Sequence, residues 1–329
     1  MAIDSQSDAP IFIVGCPRSG TTLLRNLLRS HPHLTFPSES HFIPTFYRGY
    51  GDPRDAREAR RLAARMLKLR WVRSLGLRLE AESFADCRSF REVLCRLYEA
   101  WARAENKPRW GDKTPLYVTE IPLLLKLFPG ARIIHIYRDG RDVAQSWIQT
   151  GFLVQNMYTA ARLWKSYVNS GRRAGAALPR DTYLEVRYER LLQEPRETMQ
   201  QVCEFVGEAF DDAVLRPSVH GDNPHLNPFV RRHSPPAEIV SANYGKWKTR
   251  MPARDRVTFE SVAGDLLETL DYETEGRIRR IFAAERLAWG LHQHFWWSAA
   301  RLRMLHRKAF FSTFLRMTWA SVRSHLRSA

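Results

Sequence analysis

Residues 10–28 read PIFIVGCPRSGTTLLRNLL, and the fold can be inferred outward from them. The first five, PIFIV, form a short apolar run rich in β-branched residues, which is typical of a buried strand in a parallel sheet. The last eight, TTLLRNLL, have the apolar spacing of a helix. Between them stand Gly15 and Gly20, whose small size lets backbone N–H groups approach an anion at the positive end of the following helix. This stretch therefore predicts a strand, an anion-binding loop and a helix.

The rest of the chain alternates between strand-like and helix-like segments. Residues 131–137 (ARIIHIY) and 182–187 (TYLEVR) predict two further strands. Strands that alternate with helices predict an α/β fold, in which a central parallel sheet carries helices on both faces. Helices are predicted at 55–79, 89–105, 156–177 and 253–270, a loop or short strand at 34–46, and loops at 110–115 and 216–252.

Composition excludes several classes of protein. Of the 329 residues, 44% are hydrophobic, which is too many for a disordered chain. The four cysteines show no metal-ligand spacing and the first ten residues are polar, so we expect reduced thiols, no signal peptide and a cytoplasmic location. The net charge of +16 is concentrated in residues 276–329, which hold eleven Lys or Arg residues and one acid. Global charge is therefore no sign of nucleic-acid binding.

The predicted anion-binding loop differs from that of nucleotide kinases. Their pattern, GxxxxGK[ST], has a lysine directly after the second glycine, where this sequence has Thr21. The cation stands inside the loop instead, as Arg18. A dinucleotide-binding GxGxxG would need glycine at position 17, which is Pro17. A P-loop nucleotide kinase is therefore a disfavoured alternative, and a non-catalytic protein that binds anions or membrane surfaces is another.

Two motifs resemble those of sulfotransferases that use 3′-phosphoadenosine 5′-phosphosulfate (PAPS). Residues 17–22 (PRSGTT) resemble the family's 5′-phosphosulfate loop, and residues 138–147 (RDGRDVAQSW) resemble its 3′-phosphate motif. The resemblance covers about residues 10–275 and is closest to the bacterial and tyrosylprotein branch. It implies a P-loop-like sulfotransferase fold, PAPS as co-substrate, adenosine 3′,5′-bisphosphate as product, and no metal. The contacts that it implies for the co-substrate come from Arg18, Ser19, Gly20, Thr21, Thr22, Arg138, Ser146, Tyr188 and Lys246.

Three residues are the candidates for catalysis. Sulfuryl transfer requires two positioned partners and cations that neutralise charge on the leaving oxygen. Arg18 suits the phosphosulfate, and Lys113, in the family-like WGDKTP segment at 110–115, suits the leaving oxygen. Glu39 stands 21 residues after Arg18, as the catalytic glutamate does in the tyrosylprotein branch, and is predicted to be the base. His41 and Asp112 compete for that role.

The basic end of the chain predicts a separate segment. We expect a disordered N-terminus at 1–9, a sulfotransferase domain at 10–275 and a helical basic extension at 276–329. Aromatic and basic residues alternate through 285–329, which is typical of a helix on an anionic membrane and equally of one packed on the body or a partner chain. Nucleic acid is not expected as a partner. An acceptor of unassigned class, a homodimer and a peripheral membrane location complete the hypotheses.

Overall fold

The central sheet consists of parallel strands. The computed structural model describes residues 9–151, 154–217 and 239–305, with side chains up to residue 298. Within these residues five strands lie in the order β2-β3-β1-β4-β5, and each neighbouring pair is parallel. The predicted parallel α/β architecture is therefore confirmed. The strands are β1 (Ile11–Gly15), β2 (Leu34–Thr35), β3 (Arg109–Lys113), β4 (Arg132–Tyr137) and β5 (Tyr183–Arg187).

Helices cover both faces of the sheet because successive side chains of each strand point to opposite faces. Phe12 and Val14 of β1 pack into one cluster of buried residues, and Ile11 and Ile13 pack into another. The helices are α1 (Thr21–Ser30), α2 (Ile43–Tyr50), α3 (Ala56–Leu67), α4 (Arg70–Ser74), α5 (Phe90–Ala104), α6 (Ile121–Leu127), α7 (Gly140–Thr150), α8 (Met157–Gly175), α9 (Tyr188–Gln193), α10 (Pro195–Val206), α11 (Trp247–Arg250), α12 (Ala253–Thr269) and α13 (Ala283–Leu305).

The prediction of a polar loop at 110–115 was wrong, because most of it is the buried strand β3. Its polar residues are tolerated in the sheet because they have partners there. Asp112 accepts hydrogen bonds from Tyr98 (2.5 Å) and Thr114 (2.7 Å). Gly111 leaves room for the ring of Phe36, since a Cβ at 111 would lie 2.0 Å from its Cε1. The polar composition of this segment therefore led to the wrong prediction, because the polar side chains of β3 have hydrogen-bond partners inside the fold.

Three other predictions needed correction in their boundaries. The single helix predicted at 55–79 is two helices, α3 and α4, because Leu69 between them is extended with ψ 133°. The segment 34–46 contains the short strand β2 but also the start of α2, whose Pro44 suits a first turn. The predicted loop at 216–252 contains α11, while its residues 218–238 lie outside the described residues.

Other expectations fall where the structure gives no description. Residues 1–8 and 306–329 lie outside the described residues. They include most of the N-terminal segment 1–9 that was predicted to be disordered and the second half of the predicted basic extension. Among the helices that are described, none has the length and apolarity needed to cross a bilayer.

Arg141 joins the first turn of α7 to the end of the body. Its side chain is buried and donates to Asp139 (2.8 Å), to Glu260 of α12 (2.9 Å) and to the backbone oxygen of Glu273 (2.7 Å). Asp139 in turn caps α7 by accepting from the backbone N–H of Arg141. This network fixes the turn directly after β4, where the sequence predicts a phosphate site.

We predict that Arg141→Ala destabilises the fold by about 3–5 kcal/mol, because it leaves buried carboxylates without their cation. Urea unfolding followed by circular dichroism measures this change. Lys165→Ala is the matched control, since Lys165 pairs with the exposed Asp265 and its loss should cost less than about 1 kcal/mol. Equal effects of the two substitutions would contradict the role given to Arg141.

Candidate active site

Each of the five strands ends beside one of the predicted site residues. Arg18 lies in the loop after β1, and Glu39 lies in the segment after β2. Lys113 is the last residue of β3, Arg138 directly follows β4, and Tyr188 directly follows β5. Parallel strands present their carboxyl ends at one edge, where open α/β sheets bind their ligands. The predicted site therefore lies at a single edge of the sheet.

The loop after β1 passes beneath the ring of Tyr188. At Gly20 the backbone has φ 92°, and a Cβ there would lie 2.2 Å from Cδ2 of Tyr188. Only glycine fits this position without strain. The helix α1 begins at Thr21 with no side chain capping its first turn, so its free N–H groups point toward the loop. The loop thus has the geometry that the sequence predicted for anion binding.

The guanidinium groups of Arg18 and Arg138 lie close enough to interact electrostatically. Arg18 Nε donates a hydrogen bond of 2.9 Å to Oγ of Ser146 on α7. Arg138 donates to Asp142 at 3.1 Å and lies over the ring of Tyr188, 4.6 Å from its centroid. Burial lowers the pKa of Arg18, and the nearby charge of Arg138 lowers the pKa further. A bound anion would relieve this concentration of positive charge.

Asn243 connects three of the predicted residues, and the sequence analysis missed it. Its backbone oxygen accepts from Arg138 at 2.9 Å, its side-chain oxygen accepts from Lys246 at 2.6 Å, and its amide donates to the hydroxyl of Tyr188 at 2.8 Å. Asn243 lies in a segment predicted only as loop, and no spacing in the sequence marks it. Its contacts depend on the tertiary fold.

Lys113 and Glu39 form an ion pair next to Thr22, at the start of α1. Lys113 Nζ lies 2.5 Å from Oε1 of Glu39 and 3.3 Å from Oγ1 of Thr22. The other carboxylate oxygen of Glu39 lies 2.8 Å from Nε2 of His41. Desolvation would raise the pKa of Glu39, but Lys113 and His41 outweigh it and hold the pKa well below its ordinary value. Lys113 is buried, whereas the side chain of Glu39 is 33% exposed.

The competing bases have different surroundings. Asp112 is fully buried, and its two oxygens accept from Tyr98 and Thr114. Its burial raises the pKa, although these hydrogen bonds oppose the shift. His41 contacts Glu39 directly, at 2.8 Å from one of its carboxylate oxygens. Among the three candidates, Glu39 is the carboxylate that adjoins both Lys113 and solvent.

Two carboxylates brace the turn after β4. Glu189, which directly follows Tyr188, accepts from the backbone N–H of Asp139 at 2.9 Å and from the hydroxyl of Tyr272 at 2.8 Å. Asp142 similarly accepts from the backbone N–H of Trp247 at 2.9 Å. These residues brace the turn that carries Arg138 and do not reach the loop after β1.

The structure brings most of the predicted residues into one cluster. Besides burial, the pKa of Arg18 is influenced by three nearby residues, Arg138, Glu39 and Tyr188. Ser19 and Thr21 are buried inside the loop. No nitrogen or oxygen among the described residues bonds to the hydroxyl of Ser19. The cluster comprises Arg18, Thr22, Glu39, Lys113, Arg138, Ser146, Tyr188 and Lys246, and the functional role of each stays a prediction.

One group of possible metal ligands lies away from this cluster, although the sequence showed no ligand pattern. The ligand atoms of His31, His33 and Glu208 lie within 4.8 Å of one another. Both ring nitrogens of His31 already have partners, the backbone N–H of His33 and the backbone oxygen of Ala209. His33 and Glu208 also contact each other at 2.8 Å. These contacts account for the group as a set of structural hydrogen bonds.

Comparison with known proteins places the chain among homologues. A model of the sulfotransferase family matches residues 10–212, which is more than half of the chain. The chain is 25% identical over 283 residues to a protein-tyrosine sulfotransferase of Drosophila melanogaster, a match that covers 80% of this chain and 51% of that protein. The chain thus spans about half the length of this relative. It is 30% identical over 218 residues to an uncharacterized protein of Aquifex aeolicus, covering 64% of this chain and 27% of that one.

A solved structure supports the same relationship. The sulfotransferase domain of the Synechococcus PCC 7002 olefin synthase is 26% identical to this chain, with a TM-score of 0.57. The match covers 81% of this chain and 96% of that domain. The matched region of the family model contains the loop after β1, Glu39, Lys113, Arg138, Ser146 and Tyr188. From its sequence, its parallel sheet and the placement of these motifs, the chain belongs to the sulfotransferase family.

Proposed function

We propose that this chain transfers the sulfuryl group of PAPS to an acceptor hydroxyl or amine by in-line transfer, with Glu39 as the base. The observation that carries the proposal is the position of Lys113, which contacts Thr22 of the anion-binding loop on one side and Glu39 on the other. A cation and a base are thereby adjacent at the place where the loop would present a donor. A protein that only bound an anion would need neither the base nor its proximity to the loop.

The charges around the loop suit a donor that carries two phosphate groups. Arg18, Lys113, Arg138 and Lys246 supply four positive charges, and among the described contacts the acids beside them are Glu39 and Asp142. The Nε atom of Arg138 is buried and has no hydrogen-bond partner among the described residues. Arg138 and Ser146 would hold the 3′-phosphate, and Arg18 with the residues 19–22 would hold the 5′-phosphosulfate. Tyr188 and Lys246 would complete the nucleotide site.

The residues of the chain divide the chemistry between them. PAPS, when bound, supplies the activated sulfuryl group. Lys113 would neutralise the charge that develops on the leaving oxygen, because its ammonium group already lies at the loop. Glu39 would accept the acceptor's proton at its carboxylate. No step of this scheme requires a metal, because the fixed cations neutralise the charge.

The Lys113–Glu39 ion pair has a consequence for the base. While Lys113 holds Glu39, the carboxylate is a weak base, because its pKa is well below the ordinary value. An anion at the loop would compete for Lys113 and raise the pKa of Glu39 toward that value. His41 would stay on the other carboxylate oxygen and keep the group oriented. Glu39 would thus become a stronger base when the donor site is filled.

The acceptor site would lie beside α2 and α4. Trp71 donates to the backbone oxygen of Ser38 at 2.9 Å and packs against Phe42, so these helices border the segment that carries Glu39. We expect the residues between the motifs, notably 42–105 and 150–180, to form the acceptor pocket. The acceptor class stays open between hydroxyl and amine.

Transfer of the radioactive sulfuryl group from [³⁵S]PAPS to an acceptor library, with the products separated by chromatography and read by scintillation counting, tests the proposal. We expect labelled product and adenosine 3′,5′-bisphosphate in equal amounts. Phosphate transfer from ATP, with no use of PAPS, would instead support the nucleotide kinase alternative. Bisphosphate binding without any transfer across a broad library would favour the non-catalytic alternative.

We predict that Arg138→Ala weakens binding of adenosine 3′,5′-bisphosphate by about ten- to a hundredfold, since a charge-assisted contact contributes about 1.5–3 kcal/mol. Isothermal calorimetry measures the affinity, and a melting curve checks folding. Arg190→Ala is the control, because Arg190 pairs with Glu194 at the surface. Unchanged affinity in a folded Arg138→Ala protein would contradict the 3′-phosphate assignment.

We predict that Glu39→Gln keeps nucleotide affinity but lowers turnover by about 10²–10⁴-fold, the range expected for a general base. Steady-state kinetics with the identified acceptor and calorimetry with the bisphosphate separate the two effects. Full activity of Glu39→Gln together with loss of activity in His41→Ala would move the base to His41.

Lys113→Ala should lower turnover more than it lowers nucleotide affinity, because the contact with the leaving oxygen strengthens as charge develops there. The same two measurements apply. If affinity falls at least as much as turnover, Lys113 binds the donor in its ground state and has no special part in the transfer step.

A further inference from the structure

Exposed apolar side chains are concentrated near the end of the described chain. Seven large hydrophobic side chains are exposed among the described residues, and five of them lie within residues 278–295. A contiguous exposed apolar surface on a folded protein marks an interaction site. The five are Ile278 (74%), Phe282 (59%), Leu287 (64%), Leu291 (61%) and Phe295 (76%).

The helix α13 packs on the body through its opposite face. Trp289 stacks on Tyr158 of α8 with ring centroids 5.0 Å apart, and the side chain of Gln293 is buried and accepts from the backbone N–H of Gln155 at 2.9 Å. At about 100° per residue, Trp289 lies about 200° around the helix from Leu287. One face of α13 therefore packs on the body, while the opposite face exposes apolar side chains to solvent.

Three of the five exposed residues lie on α13 and are spaced by four. Leu287, Leu291 and Phe295 advance by about 40° at each step and so span about 80° of the helix surface. Ile278 and Phe282 extend the apolar surface into the segment before α13. We call these five residues the apolar stripe.

The helix α13 lies beside the carboxyl edge of the sheet, where the candidate active site lies. Trp164 of α8 donates to the backbone oxygen of Arg138, directly after β4, and Gly171 of α8 lies against His135, inside β4. The first residues of α8 therefore extend beyond the carboxyl edge of the sheet. Because α13 packs on Tyr158 there, it stands beside the edge where the donor site lies.

The positive charge of residues 276–329 favours an anionic bilayer over a second copy of the chain as the partner of the stripe. Arg277, Arg280 and Arg286 are exposed next to the stripe, and residues 276–329 carry eleven cations against Glu285 alone. A second copy of the chain would bring two strongly basic segments together, which is repulsive. An anionic bilayer would neutralise the charge and bury the apolar side chains at once.

We propose that the apolar stripe, together with the exposed arginines around it, is a docking surface for an anionic phospholipid bilayer. Because α13 lies beside the carboxyl edge of the sheet, docking would bring that edge close to the lipid surface. Under the proposed function, the acceptors would then be presented at or near a membrane. The inference concerns location and does not depend on which group accepts the sulfuryl group.

Flotation of the full chain with phosphatidylcholine vesicles, with and without phosphatidylglycerol, tests the docking surface. We expect binding only to the anionic vesicles, and weaker binding in high salt because salt screens the arginines. The triple substitution Leu287→Ser, Leu291→Ser and Phe295→Ser should weaken binding by at least about a hundredfold, given the apolar area that each side chain would bury. Val240→Ser, an exposed apolar residue elsewhere in the sequence, is the matched control and should leave binding unchanged.

Point substitutions suit this test better than removal of α13. Truncation at Gly290 would delete the buried Gln293 and the partly buried Trp297 and so uncover the body. The triple variant keeps these contacts and should therefore keep both its melting temperature and its affinity for adenosine 3′,5′-bisphosphate.

Three results would overturn the proposal. Equal binding of the wild-type chain and the triple variant to anionic vesicles would mean that the stripe takes no part. A wild-type dimer that becomes a monomer in the triple variant, measured by light scattering, would assign the stripe to a second copy. A large fall in the melting temperature of the triple variant would mean that the stripe is covered by the chain's own residues.

Discussion

The parallel alignment of the strands is the constraint on which the rest of the structure depends. β1 lies between β3 and β4, with Ile13 opposite Lys113 and Gly15 opposite Ile136. All five strands therefore end at one edge, so that Arg18 and Tyr188, which are far apart in the sequence, lie together there. The hydrophobic residues of the strands create this site indirectly, because their burial fixes the register and the register fixes where Arg18, Lys113 and Arg138 stand.

A local excess of positive charge gives this edge its chemical character. The guanidinium groups of Arg18 and Arg138 and the ammonium groups of Lys113 and Lys246 share few acidic partners. Such a concentration of cations destabilises the ligand-free protein through repulsion and desolvation, and the Lys113–Glu39 ion pair offsets part of this destabilisation. The same pair keeps the proposed base weak in the absence of a donor. Under the proposed function, donor binding and activation of the base would be linked through Lys113.

The sequence predicted the parts of the fold whose pattern is local. The apolar runs at β1, β4 and β5, the glycine loop and the amphipathic helix α5 all carry their own signals. β3 was missed because WGDKT is polar, and only the packed structure shows that Tyr98 and Thr114 satisfy Asp112. Asn243 was missed because its three contacts come from distant parts of the chain. For the basic extension, the sequence could not show that α13 anchors itself through Trp289 and still exposes Leu287 and Leu291.

Calorimetry with adenosine 3′,5′-bisphosphate in the presence of EDTA, compared with ATP in the presence of Mg²⁺, tests the central claim most directly. The claim is that protein cations at the carboxyl edge form a site for a nucleotide with both 3′- and 5′-phosphates, without help from a divalent metal. The account predicts one bisphosphate bound per chain in EDTA and much weaker binding of ATP with Mg²⁺. Binding of ATP that requires Mg²⁺, with no heat from the bisphosphate, would contradict it.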